Sequence, residues 1–179
     1  MRKRRWYLES YEMRKGPDGK KEVIYTGKTY ILPEDPARRR MAVFFPVTMG
    51  LAFAFGGFND SVIGVTMYAM LPFMLAFLPL ALTWMYCWPL ARGKLSYTEL
   101  RKEKITKRLR LATIFIFILS LASLAGALVC AVINRLSDWE DILFIFCCIY
   151  NAAASYLFMR AQRRHIADNF DEEFLSNGQ

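Results

Sequence analysis

Four stretches of this chain, residues 41–57, 62–90, 111–133 and 142–159, contain none of its 24 Lys and Arg or its 16 Asp and Glu. A soluble helix interleaves charged and apolar residues to keep one face wet, so a soluble helical domain cannot be built from segments segregated this completely. The averages, 55% hydrophobic and 22% charged, conceal the division. They also exclude disordered, collagen-like and disulfide-rich secreted chains. The expected fold is an all-α membrane protein: four transmembrane helices in two helical hairpins, both termini inside, with a small N-terminal cytoplasmic β-hairpin. The expected division is a β-hairpin segment over 1–36, a four-span bundle over 37–161 that includes a basic loop at 91–110, and a tail over 162–179.

The third stretch would be about 34 Å long as a helix, close to the ~30 Å hydrocarbon core. The second would be about 43 Å, with Pro72 and Pro79 inside it, so it is expected to tilt, to kink at those prolines or to leave the bilayer early. The first and fourth lie near the lower length limit, but charge bounds both. Only Phe58 to Ser61 separate the first two stretches, which makes them a tight antiparallel hairpin.

Charge sets the expected direction of threading. Residues 1–40 hold 12 basic and 6 acidic side chains, residues 91–110 hold 8 and 2, and the tail from Arg160 holds 3 and 4. The 58–61 turn has only Asp60, and the 134–141 loop sets Arg135 against Asp138, Glu140 and Asp141. With both termini in the cytoplasm, 23 of the 24 basic residues stay inside, as the positive-inside rule requires. Trp84, Tyr86 and Trp88 at the inner end of the second span and Trp139 at the outer start of the fourth mark the interfaces. The expected location is the cytoplasmic membrane of a bacterium. No secretory signal peptide is expected, because a polar 40-residue segment precedes the first apolar stretch, and no lipidation signal is expected at either end.

Residues 6–13 and 21–26 are rich in aromatic and β-branched types around a Gly16-Pro17-Asp18-Gly19 turn, which predicts the hairpin, with a third short strand at Lys28 to Leu32. So little sheet buries a meagre core and needs the membrane, the 91–110 loop, a partner or a second copy to lean on. Ser96-Tyr97-Thr98-Glu99 fits a capping box, which predicts one helix from about Tyr97 to Ile133 with a Glu103–Lys107 pair on its surface. After span four, an amphipathic extension is expected with Ile166, Phe170 and Phe174 on one side.

Motifs of chemistry are sparse. Gly27-Lys28-Thr29 lacks the glycine five positions earlier that a phosphate loop needs, so no nucleotide is expected. Cys87, Cys130, Cys147 and Cys148 all lie in spans without a CxxC pair and read as small buried hydrophobes. His165 is the only histidine, which leaves neither a His-based metal site nor a Ser-His-Asp arrangement; it reads as a headgroup-facing residue. Met67, Met70 and Met74 follow helical spacing, which helix packing produces as readily as a soft-metal stripe. No catalytic residue, cofactor or metal is expected.

Two sets of residues remain as candidates. Arg38, Arg39, Arg40, Lys107, Arg108, Arg110, Arg160, Arg163 and Arg164 border the spans and are expected to contact lipid headgroups. Ala52, Gly56, Ala122, Gly126 and Ala153 offer small faces on which helices approach closely in lipid, spans three and four meeting along them, while Asn151 is expected to bridge two helices by hydrogen bonds. The spans lack the acids and histidines of proton- or ion-coupled carriers. The function expected is that of a non-enzymatic accessory, scaffold or regulatory membrane component whose basic face binds anionic lipid and a protein partner or a second copy. The alternative is a small uncoupled transporter or channel subunit with Pro72, Pro79 and Asn151 along its path. No nucleic-acid partner is expected, because the positive charge follows the span boundaries.

Overall fold

A computed structural model describes residues 11–15, 21–25, 29–32, 35–58, 62–91, 95–134, 138–167 and 171–173, with side-chain environments within 35–58, 62–91, 103–134 and 138–166. Strands β1 (Tyr11–Lys15), β2 (Lys21–Tyr25) and β3 (Thr29–Leu32) precede helix α1 (Pro36–Gly57), the single turn α2 (Val62–Val65) and helix α3 (Met67–Leu90). Strand β4 (Leu95–Thr98), helices α4 (Glu99–Asn134) and α5 (Trp139–Gln162), a π-helical turn at Arg163–Ala167 and strand β5 (Asp171–Glu173) follow. Four helices are long and apolar enough to cross a membrane, lying in α1, α3, α4 and α5.

The helix ends differ from the expected ones for local reasons. Asp35 is extended and its carboxylate accepts from the Ala37 amide at 2.8 Å, with Pro36 following, so α1 starts five residues before the apolar stretch and takes in Arg38, Arg39 and Arg40. The long second stretch is interrupted at Thr66, whose backbone is extended (φ −82°, ψ 112°) and whose hydroxyl donates to the Val62 carbonyl at 2.7 Å. Helix α3 then runs without a break through Pro72 and Pro79. Ser96 does not cap α4: it lies in β4 opposite Ile31, and α4 starts at Glu99.

Strands β1 and β2 pair antiparallel, Tyr11 opposite Tyr25 and Lys15 opposite Lys21, and the expected 16–19 turn lies outside the described residues. Strand β3 does not extend that pair. It lies between β4 and β5, antiparallel to both, with Tyr30 opposite Tyr97 and Glu172. One small sheet thus joins three remote parts of the chain. The tail after α5 forms the π-helical turn and β5 instead of an amphipathic helix, and Phe170 and Phe174 lie outside the described residues.

Each long helix packs on two neighbours, in the cyclic order α1, α3, α4, α5. The buried positions follow an alternating three-four spacing: Ala69, Phe73, Ala76, Leu80, Thr83, Cys87 and Leu90 on α3; Leu109, Thr113, Ile116, Ser120, Ser123, Ala127 and Cys130 on α4. On α5 they are Asp141, Phe144, Cys148, Asn151, Ser155, Phe158 and Gln162. This is the seam of a left-handed bundle, narrow enough to leave most of each helix facing outward. Phe55, Val65, Leu78 and Val132 are exposed, an arrangement unfavourable in water and favourable in hydrocarbon.

Phe53, Phe73 and Phe144 link three helices with ring centroids 4.6 and 4.9 Å apart in the larger core cluster. A second cluster at the other end gathers Met41, Leu90, Ile105, Leu109, Phe158 and Ile166, and Phe45 packs on both.

Candidate functional site

The start of α1, the end of α3, the start of α4 and the end of α5 come together at one end of the bundle, which is also where the basic residues collect. The contacts are specific. Arg39 Nε donates to the Ala91 carbonyl at 3.1 Å, Arg108 donates to the Tyr86 hydroxyl at 3.1 Å, and His165 Nδ1 lies 2.9 Å from the Asp35 carboxylate. His165 is therefore a clasp between the start of α1 and the turn after α5, and not an outward-facing group. Burial works against the Asp35 carboxylate, but the His165 ring and the Ala37 and Arg38 amides outweigh it and hold the carboxyl below its ordinary range.

The arginines at this end separate into different environments. Arg38 is fully buried, contrary to the expected headgroup position, because it begins the inward stripe of α1 through Ala42 and Pro46. Arg40, Arg108 and Arg164 are exposed, and Lys107 pairs with Glu103 one turn away. Arg110, Arg160 and Arg163 line one cleft of about 320 Å³ between α4 and α5, together with Ile114, Tyr156 and Met159.

From this end a row of polar groups runs along the α4–α5 seam. Gln162 donates to the Thr113 hydroxyl at 2.9 Å, and nearer the far end the Cys148 thiol lies 3.5 Å from the Ser123 hydroxyl, which itself donates to the Ala69 carbonyl at 2.7 Å. The antiparallel register between those two bonds brings Ser120 level with Asn151 and Ser155, midway along their apolar stretches. All three are buried, and neither polar atom of the Asn151 amide nor the two hydroxyl oxygens has a hydrogen-bond partner among the described residues. Asn151 is not the interhelical bridge that was expected. Carrying an unpaired polar side chain at this depth costs about 1–3 kcal/mol.

The small residues also settle differently. A methyl group at Gly126 would lie 2.5 Å from the Tyr68 carbonyl oxygen and 2.9 Å from Ala69 Cα, so this glycine meets α3 and not α5. Pro72 explains part of that contact: it has no N–H to give the Tyr68 carbonyl four residues earlier, which leaves that oxygen facing α4. Gly56 meets Phe73 and Cys147, at 2.7 and 3.3 Å from the position of an added methyl. Ala52 is half-buried, whereas Ala122 and Ala153 lie on the outer surface and form no seam within the chain. Met67 and Met74 are 76% and 53% exposed, so the methionine spacing does not mark an internal stripe either.

At the opposite end Asp141, 2% exposed, accepts from the Ile63 amide at 3.3 Å and ties α2 to the first turn of α5. The four cysteines are buried and unbridged. Among the described residues no three His, Cys, Asp or Glu side chains come together as a metal site. The polar seam was not foreseen as one feature. Its signal was present in the three-four spacing of Thr113, Ser120 and Ser123 and of Asn151, Ser155 and Gln162.

Together these features define an integral, multi-pass membrane protein with a polar inner seam and a basic end. No protein-family model matches the chain, and no curated protein or solved structure is significantly similar to it.

Proposed function

We propose that the chain is a non-enzymatic accessory, scaffold or regulatory component of a bacterial cytoplasmic membrane, with its basic end in the cytoplasm. That face binds anionic lipid and docks a protein partner or a second copy. The observation that carries this reading is the gathering of the 1–40 segment, the 91–110 loop and the tail at one end, joined by β3, β4 and β5. Juxtamembrane basic residues contribute about 1 kcal/mol each near an anionic leaflet. The β1–β2 hairpin, too small to bury a core alone, is the docking element in this reading.

Reporter fusions at Asp60 and Ser137 are expected to read external and fusions at Ser96 and Gln179 cytoplasmic; a cytoplasmic signal at Ser137 overturns the threading. Quantitative pull-down under native conditions, with and without residues 1–36, tests the docking role. An unchanged set of bound proteins refutes it.

A second reading, a small uncoupled transporter or channel subunit, draws on the unpaired Ser120, Asn151 and Ser155 groups at mid-depth. Solute flux through the reconstituted chain, lost on Asn151→Leu, favours it over the first. Impermeable vesicles with the wild-type chain oppose it.

A further inference from the structure

Arg110 is the last charged residue before the 111–133 stretch, and Arg160 is the first after 142–159. The charge boundaries of two neighbouring helices therefore coincide at one level, and both guanidinium groups line the 320 Å³ cleft with Arg163, three residues beyond Arg160. The remaining walls, Ile114, Tyr156 and Met159, come from the charge-free stretches. Among the described residues no carboxylate lines the cleft, and none of the three guanidinium groups has a hydrogen bond or ion pair. Arg39 and Arg108, by contrast, are engaged with Ala91 and Tyr86. A recess of about 50 Å³ shares Arg110, Met159 and Arg163 and adds Thr106, whose buried hydroxyl has no hydrogen-bond partner among the described residues.

We infer that this cleft binds the phosphate head of a single anionic phospholipid, whose acyl chains lie along Ile114, Tyr156 and Met159. Guanidinium groups match phosphate oxygens with paired N–H donors, and three of them lining one cleft repel one another until an anion joins them. The Thr106 hydroxyl supplies a further donor at the head. The mixed wall selects a lipid over a soluble phosphate, because one side is cationic and the other belongs to the hydrocarbon layer. This inference rests on the proposed lipid-binding role of the basic end and adds to it one stoichiometric site.

The test uses the full chain in uncharged detergent, titrated separately with dioleoylphosphatidylglycerol, dioleoylphosphatidylcholine and pyrophosphate, with complexes counted by native mass spectrometry. Phosphatidylglycerol is expected to saturate at one per chain and about tenfold more tightly than phosphatidylcholine, as charge-assisted pairing requires. Changing Arg110, Arg160 and Arg163 together to Gln is expected to weaken it about tenfold, and changing them to Lys about threefold, because the charge stays and the paired donors are lost. The same charge removed at Arg101, Lys102 and Lys104 is expected to cost less than about twofold.

Equal weakening by both Gln triples overturns the site while leaving diffuse lipid attraction intact. No weakening by either overturns both the site and the broader lipid reading. Pyrophosphate binding as tightly as phosphatidylglycerol, and competing with it, makes the cleft a soluble-phosphate site and overturns the lipid assignment. The Lys triple keeps the charge pattern and so provides a folded comparison if the Gln triple is lost to misfolding; unchanged binding in it overturns the paired-donor geometry.

Discussion

Helices α3 and α5 both flank α4 and bury stripes of identical spacing, yet they hold to it by different means. The α3 stripe is apolar but for Thr83, whose hydroxyl turns back to the Pro79 carbonyl at 2.9 Å. Its approach to α4 depends on shape: Gly126 meets the Tyr68–Ala69 backbone, and Ser123 donates to Ala69. The α5 stripe carries Asp141, Asn151, Ser155 and Gln162, and its contact with α4 is partly a row of polar groups. Lipid is as apolar as leucine, so helices associate by close fit or by hydrogen bonds; close backbone fit with the Ser123 hydrogen bond serves the α3 side of α4, and a row of polar side chains serves the α5 side.

The largest test of that contrast is Gly126→Ala. Its methyl meets backbone, which cannot swing aside, and a loss of about 3 kcal/mol or more is expected in unfolding by denaturing detergent, at the upper end of overpacking costs. A loss below about 0.5 kcal/mol means that α3 and α4 can separate without penalty, and the shape-fitted side of the contrast fails. Gln162→Leu removes the one side-chain hydrogen bond described directly between α4 and α5 at the basic end and is expected to cost about 1 kcal/mol by the same measurement.

Asn151→Leu should move the other way. Replacing an unpaired buried amide by a side chain of similar volume is expected to stabilise the bundle by about 1 kcal/mol, the reverse of what a hydrogen-bonding bridge predicts. A marked loss instead would show that the amide is satisfied by something that binds the seam, and would sharpen the transporter reading.

The smallest effect concerns the clasp that holds the ends of both helices. The Asp35 carboxyl is depressed in the folded state, so its contribution is present above the unfolded value of about 3.9 and is lost as pH falls from there through the lower folded value. Asp35→Asn is expected to remove that acid-side loss and to cost a few tenths of a kcal/mol near neutrality, where Asn still caps α1. An unchanged acid profile in the variant assigns the loss to other carboxylates.

Much of the fold was legible in the chain. Charge-free runs marked all four spans, and the distribution of Lys and Arg marked one end as basic before any contact was known. The Glu103–Lys107 pair followed from spacing alone. The faces were harder to read: Ala122 and Gly126 share a small-residue spacing, but only Gly126 meets another helix, at the Tyr68 carbonyl of α3, which Pro72 four residues later cannot donate to. His165 looked outward among arginines, and Arg38 looked like its neighbours Arg39 and Arg40. A remote partner, Asp35, decided the first, and the early start of α1 decided the second.

The sequence by itself determined which segments belong in hydrocarbon and which end of the bundle is basic, since both follow from transfer energies summed over whole segments. Only the tertiary structure decided which glycine touches which helix, that Ser120, Asn151 and Ser155 share one level, and that Arg110, Arg160 and Arg163 surround one cleft. The physical reason is that the lipid and the bundle core are equally apolar. Burial therefore leaves only a faint pattern on such a chain, and steric fit and pairing between distant residues make the choice.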